Sequence, residues 1–128
     1  MEEQRDRRNL ERLEIEGAKI SLRREKSVNI LERYSEPYPV KDLTWSSVRF
    51  ITNRLLHTGE SVEIELSVPG EKKIRVRGHL VWTSARAEGH EHYAVVQFLP
   101  FGNEKPYNPI KYKEMLKKVI DRHKIVRH

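Results

Sequence analysis

The chain contains 128 residues, a length typical of one domain with a single hydrophobic core. Hydrophobic residues make up 37% and charged residues 34%, which favours a soluble globular domain over a disordered chain. Cysteine is absent, so disulfide bonds, thiolate zinc sites and cysteine nucleophiles are excluded.

The formal net charge of +6 is concentrated in the last part of the chain. Residues 101–128 contain 8 Lys or Arg against 3 Asp or Glu, whereas the preceding residues are nearly balanced. A nucleic-acid surface is more often spread over one face of a fold, so we expect a basic terminal helix and no nucleic acid polymer as partner.

The charged N-terminal residues contain no apolar stretch suited to a secretion signal, and no apolar run approaches the roughly 20 residues that cross a bilayer. We therefore expect a cytoplasmic chain with no membrane span.

The first predicted strand bends at Gly17. Apolar residues alternate in opposite phase on its two sides: Leu13 and Ile15 before it, and Ala18, Ile20 and Leu22 after it. A bulge or bend at the glycine reconciles the two phases. A second, less regular strand is predicted over residues 28–31, and a third over residues 48–51. Residues 35–39 are interpreted as a loop.

The middle of the chain predicts a β-hairpin. Apolar residues occupy alternate positions in two segments: Val62, Ile64, Leu66 and Val68, and then Ile74, Val76, Leu80 and Trp82. The turn signal Pro69-Gly70 separates them. Residues 93–99 are apolar in both phases, as in a strand covered on both sides. About six short antiparallel strands would leave exposed edges in an open sheet, so we expect a small closed barrel.

The apolar period changes to that of a helix near the C-terminus. Residues of one helical face recur at the spacing i, i+3, i+4, i+7: Tyr112, Met115, Leu116, Val119, Ile120 and His123. We predict an amphipathic helix over residues 108–126, with Asn108 as its cap and Pro109 in its first turn.

Arginines cluster just before the first strand, at Arg7, Arg8 and Arg12. Guanidinium groups bind phosphate through paired donors, recognise the O6/N7 edge of guanine and stack on bases. The alternative is a solvated, charge-balanced tail in which Glu3 pairs with Arg7 on a helical turn.

A carboxylate and hydroxyl groups occur together before the strand at residues 48–51, at Asp42, Thr44, Ser46 and Ser47. A carboxylate can accept hydrogen bonds from N1–H and the N2 amino group of guanine, and hydroxyl groups contact phosphate. The alternative is an ordinary turn, because these side chains also bond to their own backbone.

The two segments together resemble the PilZ domain family, which is marked by RxxxR and a downstream [D/N]xSxxG. Arg8 and Arg12 match the first motif, and Arg7 extends it to RRxxxR. Asp42 matches the acidic position of the second, Thr44 replaces its serine, and Ser47 stands where glycine is usual. The segments Gly78–Trp82 and Val96–Phe98 are similar to strand endings of the family, although Val96 replaces a common glycine.

The resemblance implies a single, mainly β domain over residues 1–128: a flexible arginine-rich arm (1–12), a six-stranded antiparallel β-barrel (13–101) and a C-terminal amphipathic helix (108–126). It also implies binding of the bacterial second messenger cyclic di-GMP as ligand, with no further cofactor. Members of the family often bind it as an intercalated dimer.

The resemblance also assigns roles to residues. Arg8 and Arg12 would contact the guanine edge and the phosphates, Arg7 would add stacking or charge, and Asp42 with Thr44 would hold a guanine. If the family's glycine supplies a positive φ angle or close ligand approach, Ser47 would weaken binding by on the order of 1 kcal/mol.

The expected function is that of a non-enzymatic receptor or adaptor whose surface changes on ligand binding and regulates an unknown protein partner. The alternative is a degenerate PilZ-like interaction module that does not bind nucleotide.

Two further side-chain groups are candidates for chemistry. The strand phase of Trp82 predicts a core position, and stacking on a ligand base is the alternative. His90 and His92 alternate as a metal pair would, but no third ligand is evident nearby, so a surface loop is the simpler interpretation. No Ser/His/Asp grouping or carboxylate pair supports an enzyme, and we expect no catalytic residues and no metal site.

Overall fold

Alternating apolar side chains fold most of the chain into strands. The structure is a computed structural model, and it describes residues 12–27, 30–31, 33–84 and 90–126. Within these residues the elements are β1 (Lys19–Ser27), β2 (Ile30–Leu31), β3 (Tyr38–Leu43), β4 (Ser47–Thr52), β5 (Ser61–Ser67), β6 (Ile74–Thr83), β7 (His92–Phe98) and α1 (Ile110–Val126).

Six of the strands close into a barrel in the order β1-β3-β4-β7-β6-β5, with β5 paired back to β1. All these pairings are antiparallel. The short β2 lies outside the ring and pairs with the end of β1. The expected fold class, a six-stranded antiparallel barrel followed by one C-terminal helix, is confirmed. Closure pairs the strand edges that an open sheet would expose.

The barrel interior holds the apolar residues of the alternating pattern, from Leu13 and Ile15 to Val96 and Phe98. The predicted bend at Gly17 is confirmed. Gly17 has a φ of 81°, which favours glycine, and the N–H of Ala18 donates to the carbonyl oxygen of Ile15 at 3.1 Å. The apolar residues on both sides of the bend therefore point into the core.

The second strand of the barrel is β3, which was not predicted. The segment over residues 28–31 instead contributes the two-residue β2, and Val28 lies outside the described residues. Residues 35–39 were interpreted as an extra loop because the spacing between Arg12 and Asp42 is slightly long for the family that the chain resembles; this segment contains prolines, which lack an N–H for the ladder. β1 and β3 pair at only two positions, Lys19 with Pro39 and Ile20 with Tyr38, so the missing donor removes little.

Helix α1 begins at Ile110 and buries Leu116 and Val119 against the barrel. The predicted capping role of Asn108 is wrong. Its amide oxygen accepts from the N–H of Arg77 at 2.8 Å, and its amide nitrogen donates to the carbonyl oxygens of Arg77 and Leu99, each at 3.0 Å. The buried Asn108 therefore ties the start of the helix to β6 and to the residue after β7. Among the described residues, no helix has both the length and the apolar character needed to cross a bilayer.

Candidate ligand-binding site

A cleft of about 320 Å³ lies on the barrel surface where strands β3, β4, β6 and β7 come together. Residues from these strands and from the segment before β1 line it: Arg12, Asp42, Ser47, Arg49, Trp82 and Val95. Four of the six are ligand residues proposed from the sequence. The fold therefore brings together Arg12, Asp42, Ser47 and Trp82.

The position of Arg12 is set by its neighbour Leu13. The N–H of Leu13 donates to the carbonyl oxygen of Leu43 and the N–H of Leu43 donates back to Leu13, each at 2.9 Å. Leu13 and Leu43 are both fully buried. This bridge holds the backbone next to the exposed Arg12 against the end of β3, and Arg12 and Asp42 line the same cleft although they are far apart in the sequence.

Asp42 is the buried acidic group of the cleft, and it forms an ion pair with Arg49. The two residues stand opposite each other in the antiparallel pairing of β3 with β4. The guanidinium group of Arg49 also lies 5.5 Å from the ring centre of Tyr93 on β7. Asp42 is thus held by a cation that is itself supported by a neighbouring strand.

The hydroxyl of Thr44 is used by its own turn. Its Oγ1 accepts from the backbone N–H of Ser46 at 3.1 Å and from that of Ser47 at 3.0 Å, and it lies 3.0 Å from the Oγ of Ser47. Thr44 is buried and is not part of the cleft lining. It shapes the turn that presents Asp42 and Ser47.

Ser47, which replaces a glycine of the family motif, is the first residue of β4 and pairs with Gln97 of β7. An extended strand conformation is one that serine adopts readily. Its half-buried side chain lines the cleft, and its hydroxyl is hydrogen-bonded to the Thr44 hydroxyl at 3.0 Å.

The predicted core position of Trp82 is wrong, because Trp82 is 49% exposed. The pairing of β6 with β7 shifts between Leu80 and Trp82: Leu80 faces Val96 and Trp82 faces the adjacent Val95. The extra residue, Val81, forms a bulge that reverses the phase of the strand. The indole consequently lies on the cleft, as the stacking alternative required.

Arg7 and Arg8 lie outside the described residues, so the first arginine of the RxxxR motif has no structural assignment here. His92 is buried in β7, with its Nδ1 2.7 Å from the carbonyl oxygen of His90. Within the described part of the chain, no group of three His, Cys, Asp or Glu side chains could hold a metal ion.

Sequence reasoning missed Arg49 as a residue of the cleft. The sequence contained a signal for Arg49, because Asp42 and Arg49 flank one short turn. Once β3 is recognised as a strand, the two residues become cross-strand neighbours in the β3–β4 hairpin. Because residues 35–39 were interpreted as a loop, that pairing was not considered.

A larger cleft of about 550 Å³ is lined by β5, β6 and residues 102–110, and it contains none of the proposed ligand residues. One of its carboxylates, Glu63, accepts from the Tyr34 hydroxyl and from the Arg23 guanidinium, each at 2.7 Å. Burial alone would raise the pKa of Glu63, but these two hydrogen bonds outweigh it and hold that pKa below its usual value. Burial and the bond to Glu63 together raise the pKa of Tyr34. Glu63 is therefore part of an internally satisfied network.

Comparison of the chain with protein-family models gave no match. Comparison with curated proteins gave no match either. The class of protein defined by the fold and the cleft is a six-stranded antiparallel β-barrel that carries an arginine, an aspartate and a tryptophan on one surface cleft.

Proposed function

We propose that this chain is a non-enzymatic receptor or adaptor for cyclic di-GMP, of the PilZ type, that binds its ligand in the Arg12–Asp42–Trp82 cleft. Binding changes the surface that the chain presents to a protein partner. The observation that carries the proposal is the bridge between Leu13 and Leu43. It supports the proposal because Arg12, the second arginine of the first motif, lines the same cleft as Asp42 and Ser47 of the second motif.

The chemistry of the cleft suits a guanine nucleotide. Arg12 offers paired donors to phosphate or to the O6/N7 edge of guanine. Asp42 offers acceptors to the N1–H and N2 amino groups, and the exposed indole of Trp82 offers a stacking surface. Small-molecule sites commonly measure roughly 300 to 1,000 Å³, so this cleft is at the lower end and suits one guanine with its phosphate.

Calorimetric titration with cyclic di-GMP tests the proposal. The wild-type chain should give saturable heat, and Arg12→Ala should weaken binding by roughly tenfold or more, because charge-assisted hydrogen bonds are lost. Arg122→Ala is the matched control, since Arg122 is an exposed cation that pairs with Glu71 away from the cleft. Absence of heat from the wild type at low salt and high micromolar ligand would overturn the proposal.

The second candidate function is that of an interaction module that has lost nucleotide binding. It is favoured by the ion pair that already occupies Asp42 and by the use of the Thr44 hydroxyl within its own turn. The docking surface would then be α1, whose Lys113 and Lys117 line a cleft with the exposed Trp45.

Surface variants separate the two functions better than removal of α1, because the helix buries Leu116 and Val119 in the core. The interaction module predicts that Lys113→Glu with Lys117→Glu abolishes partner capture while Arg12→Ala leaves it unchanged. The receptor predicts that Arg12→Ala removes the response of partner capture to cyclic di-GMP.

A further inference from the structure

Arg49 makes a set of contacts in the cleft that the proposed ligand roles do not include. Its guanidinium binds Oδ2 of Asp42 and lies near the Tyr93 ring. Its Nε is buried and has no hydrogen-bond partner among the described residues. The guanidinium of Arg49 is therefore fixed by its bond to Asp42 and by the Tyr93 ring, and in turn it fixes the orientation of the Asp42 carboxylate.

The strand pairing builds this contact into the fold. Asp42 and Arg49 are directly opposed in the β3–β4 pairing, and side chains at such positions lie about 4.5 to 5.5 Å apart at Cβ. Arg49 itself is opposed to Val95 of β7, another residue of the cleft lining. Its location therefore depends on two strand pairings and not on a loop.

The ion pair with Arg49 determines how the Asp42 carboxylate can accept hydrogen bonds from a ligand. Asp42 is largely buried, and an isolated buried carboxylate is strongly disfavoured unless an opposite charge compensates it. A carboxylate has about four acceptor sites on its two oxygens, so the bond to Arg49 through Oδ2 leaves acceptors for a ligand. Arg49 thus orients the Asp42 carboxylate without using all of its acceptor sites.

We propose that Arg49 is a positioning residue that determines base specificity in this cleft: it orients the Asp42 carboxylate so that guanine is preferred over adenine. Guanine presents N–H donors at N1 and N2, whereas adenine lacks both. A fixed pair of carboxylate acceptors at Asp42 can therefore accept hydrogen bonds at these positions from guanine but not from adenine. This inference rests on the proposed function, because it names the selectivity of that same site.

The test compares the dissociation constants of cyclic di-GMP and cyclic di-AMP by calorimetry. Arg49→Ala should weaken binding of the guanine dinucleotide by about tenfold or more and leave that of the adenine dinucleotide nearly unchanged. Arg49→Lys should restore part of the selectivity, since it keeps the charge but loses the planar fork. Arg75→Ala is the control, because Arg75 forms a cross-strand pair with Glu65 outside the cleft.

Two further variants keep the test independent of folding defects. Asp42→Ala should lose the same selectivity, and the double variant with Arg49→Ala should lose no more than either single variant, because both act through one carboxylate. A purely structural role of Arg49 would instead weaken both dinucleotides by the same factor, and that result overturns the inference.

The remaining outcomes separate the proposed function from the role of Arg49. A wild-type chain that binds neither dinucleotide overturns the proposed function and, with it, the role of Arg49. A wild type that prefers cyclic di-GMP, beside an Arg49→Ala variant that keeps the full preference or binds more tightly, overturns the role of Arg49 alone.

Discussion

The close approach of β6 and β7 at Gly78 gives a stability prediction that can be worked from the structure. A Cβ atom at Gly78 would lie 2.3 Å from the carbonyl oxygen of Gln97 and 2.8 Å from Cγ1 of Val96. Favourable carbon contacts lie at about 3.5 to 4.0 Å, so an added methyl group would need about 1 Å of extra space. Much of that space would have to come from the backbone of Gln97, which is held in the ladder.

We therefore expect Gly78→Ala to lower the free energy of unfolding by about 2 kcal/mol. Overpacking costs typically about 1 to 3 kcal/mol, and an obstacle made of backbone belongs at the upper end of that range. The gain from replacing a strand glycine, roughly 0.5 to 1 kcal/mol, offsets part of the cost. Urea unfolding followed by tryptophan fluorescence measures the difference as a shift of the midpoint at constant slope.

Gly59→Ala is the informative control because it separates steric crowding from backbone strain. Gly59 has a φ of 95°, but an added Cβ would meet nothing within 4 Å. Its substitution should cost about 1 to 2 kcal/mol through the left-handed conformation alone. If Gly78→Ala unfolds at the wild-type midpoint, the steric reasoning is refuted, because a Cβ atom at this position would then fit without displacing the backbone of Gln97.

Four other predictions concern Asn108, the Tyr34–Glu63 hydrogen bond and Trp82. Asn108→Ala should lower the free energy of unfolding by about 2 to 4 kcal/mol, because the N–H of Arg77 and the carbonyl oxygen of Leu99 lose their hydrogen bonds to the buried amide; an unchanged thermal midpoint would contradict this. The raised pKa of Tyr34 means that its stabilising contribution is complete below pH 10 and is lost as pH rises above it, so Tyr34→Phe should flatten the alkaline decline in unfolding free energy. Glu63→Gln should lower the pKa of Tyr34, which absorbance at alkaline pH measures. Stacking of a base should quench Trp82 fluorescence, so Trp82→Phe should abolish ligand-induced quenching whereas Trp45→Phe should retain it.

Most of the barrel could be predicted because its strands keep a strict alternation of apolar residues. In β5, for example, Val62, Ile64 and Leu66 are all buried, as the pattern requires. Strand β3 could not be predicted from the alternation of apolar residues. Its sequence contains Pro39 and Lys41 and only a partial alternation, and it is held in the barrel mainly by pairing with β4, which is a tertiary contact.

The candidate site was predictable in residue type and less so in geometry. Arg12 and Asp42 were identified from motif spacing, and both line the cleft. The exposure of Trp82 depends on a bulge at Val81, and an extra residue in one strand leaves no signal in the apolar pattern of that strand alone. Thr44 was predicted as a ligand residue with an ordinary turn as the alternative, and the structure shows that its hydroxyl is bonded within that turn.

The charge balance of the cleft explains why one ligand class fits better than others. Arg12 and Arg49 contribute two cations against the single carboxylate of Asp42, so the site favours an anion. The Asp42 carboxylate favours a ligand that also carries N–H donors, because a phosphate group placed next to this carboxylate would be repelled by its negative charge. A guanine nucleotide would bring both features in one molecule, with its phosphate directed to Arg12 and its base edge to Asp42. A nucleic acid duplex carries the phosphate but keeps the N1–H and N2 groups of guanine within base pairs, which makes it a poorer match for a cleft of about 320 Å³.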